Sequence, residues 1–114
     1  MTELNSNLNN KTYLAADFSA QQAILNTDYC YAIKSGNIAF VQLRFTTNAT
    51  IDASLRVIQF PNALKPPRRL YGLCINTWGT EVVQFELDPE GRIFKAGAMK
   101  TSIDYMLSTS YICQ

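Results

Sequence analysis

Residues 31–47 read YAIKSGNIAFVQLRFTT, and residues 57–67 read VIQFPNALKPP. Lys34-Ser35-Gly36-Asn37 is a turn signal between two runs of strand formers. After it, Ala39, Val41, Leu43 and Phe45 fall on one side of an extended chain, and Gln42 and Arg44 fall on the other. That alternation predicts a strand with one face in a core. Phe60-Pro61 closes a further strand, because proline cannot donate to a sheet ladder. Lys65-Pro66-Pro67 then forces an extended, non-helical exit.

Working outward, the same period of two recurs. Val83, Phe85 and Leu87 alternate against Val82, Gln84 and Glu86, and Ile103, Tyr105, Leu107, Thr109 and Tyr111 share one face. Tyr29, Tyr31 and Ile33 share a face in a strand predicted over 28–33. Further strands are expected over 12–18, 55–60, 70–76 and 92–98, and a turn of helix over 20–25. Asp88-Pro89-Glu90-Gly91 is a strong turn signal, with proline suited to the second position and glycine to the fourth. Short strands with turns about every ten residues predict an all-β fold, a short-stranded antiparallel β-sandwich of jelly-roll-like form. Residues 1–11 are polar and Asn-rich and read as a flexible leader or linker, and 12–114 as one β-sandwich head domain.

The bulk numbers bound the function. A chain of 114 residues suits one core. The net charge of +1 argues against nucleic acid as partner, and no run approaches the length of a membrane span. There is no histidine, which removes the commonest general base and metal ligand and makes a Ser-His-Asp triad impossible. Cys30, Cys74 and Cys113 are far apart and form no metal-ligand spacing, so they read as buried thiols of a chain made in a reducing compartment. No metal or cofactor is expected. No apolar signal-peptide core is visible near Met1.

Four pieces in order carry a family resemblance. They are Gly36-Asn37-Ile38 followed by VQLRFTT, Phe60-Pro61-Asn62-Ala63-Leu64-Lys65-Pro66, Asp88-Pro89-Glu90-Gly91-Arg92-Ile93, and Tyr111 in the closing strand. Together they resemble the C-terminal head domain of phage tail-fibre and baseplate receptor-binding proteins, mainly of phages of Gram-positive bacteria. The second piece departs from the family's leucine-proline-x-glycine-tyrosine-arginine-proline loop, with Ala63, Leu64 and Lys65 standing for its glycine, tyrosine and arginine. The resemblance implies a homotrimeric β-sandwich at the tip of a virion's tail or fibre. It also implies a host cell-surface saccharide or teichoic acid as ligand, and other tail or baseplate proteins as partners.

The candidate ligand residues are Trp78, Asn76, Glu81, Arg68, Arg69 and Asp104. An indole in a Thr-Trp-Gly-Thr turn offers a stacking face to a sugar, and against this stands the bland reading that it folds back over the sandwich end. The two arginines can take a carboxylate, a phosphate or a neighbouring subunit, or be a solvated pair. Asp88 and Glu90 are explained by turn preference, and no carboxylate spacing argues for an enzyme. The face opposite the core carries surplus apolar residues, Ile38, Phe40, Val82, Met106 and Ile112, which predict an oligomer interface. Two functions remain: a receptor-binding head, and a structural trimeric cap or decoration domain that binds no receptor.

Overall fold

The computed structural model describes residues 10–48, 56–76, 82–95 and 104–114. In chain order its strands are β1 (Asn10–Tyr13), β2 (Ser19–Ala20), β3 (Ile24–Leu25), β4 (Tyr31–Ser35), β5 (Ile38–Thr47), β6 (Ile58–Gln59), β7 (Leu70–Asn76), β8 (Val82–Leu87), β9 (Arg92–Lys95) and β10 (Asp104–Ile112). Short 3-10 turns occupy Ala15–Asp17, Thr27–Tyr29 and Asn62–Leu64. All described pairings are antiparallel, so the expected all-β class holds. No described helix is long and apolar enough to cross a membrane.

The strands form one hydrogen-bonded path, β1-β4-β5-β10-β7-β8-β9-β6-β2, with β3 paired to the far end of β5. Laid flat, nine strands would be about 38 Å wide. Yet β1 and β2, at the two edges, are joined only by residues 14–18, a reach of about 20 Å at most. The sheet therefore curls, and its two halves face each other across one core as the layers of a sandwich do.

The alternation read in the sequence sets which side chains enter that core. Ala39, Val41, Leu43, Phe45 and Thr47 of β5 are buried, as are Tyr105, Leu107 and Tyr111 of β10. Val57, Ile58, Phe60, Leu64 and Ile93 meet them from the other half. The rings of Phe45 and Tyr105, paired across β5 and β10, lie 5.9 Å apart, and Phe18 meets Phe60 edge-on at 5.3 Å. Each such side chain contributes about 1.5–3 kcal/mol by leaving water. Gly72 of β7 faces Phe85 of β8, whose Cε1 lies 2.5 Å from where a β-carbon on Gly72 would sit, so only glycine admits that ring.

Two loops lock the lower end of the sheet. The Asp88 carboxylate is buried and accepts the backbone N–H groups of Glu90 (3.1 Å) and Arg92 (2.9 Å), while Arg92 Nη2 reaches its other oxygen at 2.7 Å. Gly91, at φ +81°, closes this turn as expected. Burial alone would raise the Asp88 pKa, but the hydrogen bonds and charge of Arg92, with the Glu90 N–H, hold it below the usual carboxylate value. The second loop, residues 61–67, receives the chain's last residues. Tyr111 Oη donates to Leu64 O at 2.7 Å, and Gln114 donates to Lys65 O and Pro66 O.

Several local expectations are corrected, among them the strand over 55–60, which in the described residues is only Ile58–Gln59, and the leader over 1–11, whose Asn10 and Lys11 pair with Ser35 and Lys34 in β1. Residues 12–18 are not one strand, because Leu14 N–H bonds the Asp17 carboxylate and the chain turns there. Residues 20–25 hold no turn of helix but parts of β2 and β3, whose backbone groups find partners in β6 and β5. The strand predicted over 28–33 begins only at Tyr31, since Thr27–Tyr29 form a 3-10 turn. All three cysteines are buried.

Candidate functional site

The outer face of the sheet can be written row by row from the register. Ser35, Ile38 and Ile112 lie in one row, and Ile33, Phe40 and Ser110 in the next. Tyr31, Gln42 and Ser108 follow, then Arg44, Met106, Ile75 and Val82. Tyr71 and Leu73 extend the face on β7, opposite Glu86 and Gln84 of β8. Two apolar lobes result. One is Ile33, Ile38, Phe40 and Ile112, and the other is Leu73, Ile75, Val82 and Met106. A furrow floored by the small side chains of Ser108 and Ser110 runs between them.

The residues expected at an oligomer interface thus share this one face. Ile38, Phe40, Val82 and Ile112 are exposed and Met106 is half-buried. Leu73, which the sequence reading did not single out, is 65% exposed.

At one end of the furrow lies a pocket of about 340 Å³ lined by Asp28, Tyr29, Tyr31, Gln42, Arg44 and Met106. Its walls are built from the backbone upward. Asn26 sits in the left-handed region at φ 57°, the one described non-glycine residue with positive φ, a conformation asparagine tolerates better than most. Its amide donates to Thr46 Oγ1 at 3.1 Å, and the Thr46 hydroxyl in turn donates to Asp104. This anchors the 3-10 turn that swings Tyr29 out to 68% exposure. Cys30 Sγ, buried beneath, donates to Arg44 O at 3.4 Å, and burial pushes its thiol pKa up. The Arg44 guanidinium lies 5.6 Å over the Tyr29 ring, and Tyr31 Oη donates to Gln42 Oε1 at 3.0 Å. Two aromatic faces, a cation, an amide and a carboxylate therefore converge on one concave space, held in place before any ligand arrives.

At the other end the sheet opens. β7 and β10 pair only from Leu107↔Cys74 to Tyr105↔Asn76, although both strands run on, to Leu70 and to Ile112. The opening holds a cleft of about 410 Å³ lined by Pro67, Arg68, Tyr71, Thr109, Ser110 and Ile112.

The ligand residues proposed from the sequence do not gather at one point. Arg68 lines the cleft, whereas its neighbour Arg69 is paired to Glu86 at 2.6 Å. Asn76 is at the opposite end of β7, six residues or about 20 Å from Leu70. Asp104 supports the Asn26 turn through Thr46 rather than facing solvent alone. Trp78 and Glu81 lie outside the described residues. The tyrosine pocket itself was missed. Its signal was Tyr29 and Tyr31 alternating with Cys30 and Ala32, where the small residues mark the buried side and leave the rings outward. Among the described residues no group of acids and cysteines is placed to hold a metal.

No protein-family model matches the chain, and no curated protein matches it in sequence.

Proposed function

We propose that this chain is a head domain at the tail tip or fibre of a phage or phage-like particle, that it binds a host cell-surface saccharide or cell-wall polymer, and that it does no chemistry on its ligand. The observation that carries the binding reading is the pocket of Tyr29, Tyr31, Gln42 and Arg44. Sugar rings stack on aromatic faces through their C–H surfaces, and their hydroxyls need a few fixed polar groups. The four-piece sequence resemblance is what supports the particle and the virion as its place. Among the described acids, Asp88 is held by Arg92, Glu86 by Arg69 and Asp104 by Thr46, which favours structural roles for these three.

The apolar lobes favour self-association, with further copies of this chain covering them, and the sequence resemblance is what supports a homotrimer. Ile33, Ile38, Phe40 and Ile112 in one lobe, and Leu73, Ile75 and Val82 in the other, are all exposed, and clustered exposed apolar side chains of this kind mark interaction surfaces. The same lobes support the second reading, a structural cap or decoration domain without a receptor.

Binding to a glycan array and to cell walls from a panel of Gram-positive bacteria separates the two. Tyr29→Ala and Arg44→Ala should each weaken wall binding at least about tenfold, with circular dichroism unchanged. Trp78→Ala tests the indole singled out from the sequence. Full binding by folded Tyr29→Ala and Arg44→Ala proteins would remove the pocket, and no binding by the wild type to any wall would leave the cap.

A further inference from the structure

We infer that the cleft where β7 and β10 part is a second, anion-binding subsite, and that Arg68 is its cation. The ligand class is an oxyanion on a hydroxylated carrier, a phosphate diester or a sugar carboxylate. The inference rests on the binding reading above only for the carrier. The subsite itself stands on the cleft.

Three observations carry it. The first is the opening itself. Sheet strands that continue side by side normally continue to pair, yet here four residues of β7 and five of β10 run on past the last described pair. The space between them opens onto the outer face at the end of the furrow, opposite the tyrosine pocket.

The second is the fate of the two adjacent arginines. Arg69 spends its charge on Glu86 at 2.6 Å. Arg68 makes no ion pair with another described residue and lines the cleft. A guanidinium with its planar donors uncommitted is suited to carboxylate or phosphate oxygens, which it grips two at a time. It is also held ready. Pro66 is buried, Pro67 fixes its own φ, and Gln114 bonds Pro66 O, so little backbone freedom remains to be lost on binding.

The third is the company around Arg68. Tyr71, 63% exposed, offers a ring on one wall, and Ser110, on the outer face of β10, brings a hydroxyl from the other. A cation, an aromatic face and a hydroxyl suit an anion with a polyol or sugar attached better than a bare inorganic ion. The subsite and the tyrosine pocket share the β10 strand. Met106 lines one and Ser110 the other, four residues or about 14 Å apart, so a single extended chain reaches both along the serine floor.

The test uses the full chain and three soluble probes of equal length: polyglycerol phosphate oligomers, oligoglucuronate and neutral dextran oligomers. Titration followed by amide chemical shifts should move Tyr71, Thr109 and Ser110 with one of the two anionic probes. Which one responds separates phosphate from carboxylate. Arg68→Ala should weaken that probe at least about tenfold and Arg69→Ala less than about twofold. Raising salt from about 0.05 to about 0.3 M should weaken the wild type several-fold, because the site is open to screening. Equal losses in Arg68→Ala and Arg69→Ala would reduce the effect to general surface charge and overturn the subsite. So would tight dextran binding at the same residues, or an unchanged Arg68→Ala. Tyr29→Ala should leave the shifts at Tyr71 intact, so the subsite and the saccharide pocket fail separately.

Discussion

The inner and outer faces of β5 and β10 are made from the same two strands, and both carry large apolar side chains. Inside, Val41, Leu43, Phe45, Tyr105 and Leu107 are sealed. Outside, Ile38, Phe40 and Ile112 meet solvent, with Ser108 and Ser110 between. Alternation in a strand fixes which residues share a side, but it does not fix that the other side is polar. An inner face is specified by volume, because its neighbours are already in contact. An outer face is specified by what will cover it. The two should therefore respond to mutation in opposite ways.

The largest effect is expected inside. Leu43→Ala or Tyr105→Ala should cost about 3–5 kcal/mol in urea unfolding, the transfer loss plus a cavity that a curled sheet cannot close. Leu73→Ser and Ile112→Ser on the outside should each change the stability of an isolated subunit by less than about 0.5 kcal/mol. Those same outer variants should lower the particle mass measured by light scattering. A wild-type mass of one 12.8 kDa chain at tens of micromolar would break the contrast, since the lobes would then be uncovered.

A smaller effect sharpens the comparison at the Asp88 turn, where a charge rather than an apolar group is buried. Asp88→Asn should cost about 2–3 kcal/mol, through weakened bonds to Arg92 and the turn backbone. The folded-state pKa of Asp88 is depressed, so its contribution is complete above the unfolded value near about 4 and is lost as pH falls through the folded one. Stability measured from about pH 6 down to about pH 2 should fall less steeply in Asp88→Asn than in wild type. Equal slopes would show that Asp88 titrates alike in both states.

The smallest effect tests how the tyrosine pocket is held. Asn26→Gly relieves the left-handed backbone but deletes the bond to Thr46, so stability should move by less than about 1 kcal/mol. Asn26→Val puts a residue there that adopts the region poorly. It should cost about 1–2 kcal/mol and lower the quenching of Tyr29 by added saccharide. An Asn26→Val protein with wild-type stability would mean that the turn is not under the stated constraint.

Much of the fold was legible because β5, β8 and β10 carry long period-two patterns and the Asp88–Gly91 turn carries its own chemistry. The short strands β2 and β3 were not legible. Two residues have no period, and their partners, Ile58, Gln59, Thr46 and Thr47, are distant in sequence. The Tyr29 turn was hidden for a related reason. Asp28-Tyr29-Cys30-Tyr31 alternates like a strand, and only the left-handed Asn26, tied to Thr46, breaks it. Arg68 and Arg69 look equivalent as a pair. What distinguishes them is the position of Glu86, which only the β7–β8 register supplies.

β10 comes last among the described strands, yet it lies near the middle of the sheet, pairing with β5 over nine positions and with β7 over three. While the chain is being made, β5 and β7 must therefore wait with open edges for a segment far downstream of β5. Folding is tied to late, long-range pairing, which places this topology among the slower β proteins. An apolar outer face and unpaired edges are exposed together during that interval, a combination that invites off-pathway strand exchange between neighbouring nascent chains. A ribosome spacing that keeps those chains apart, or slow growth at low temperature, should raise the yield of folded protein more than any change to the mature surface.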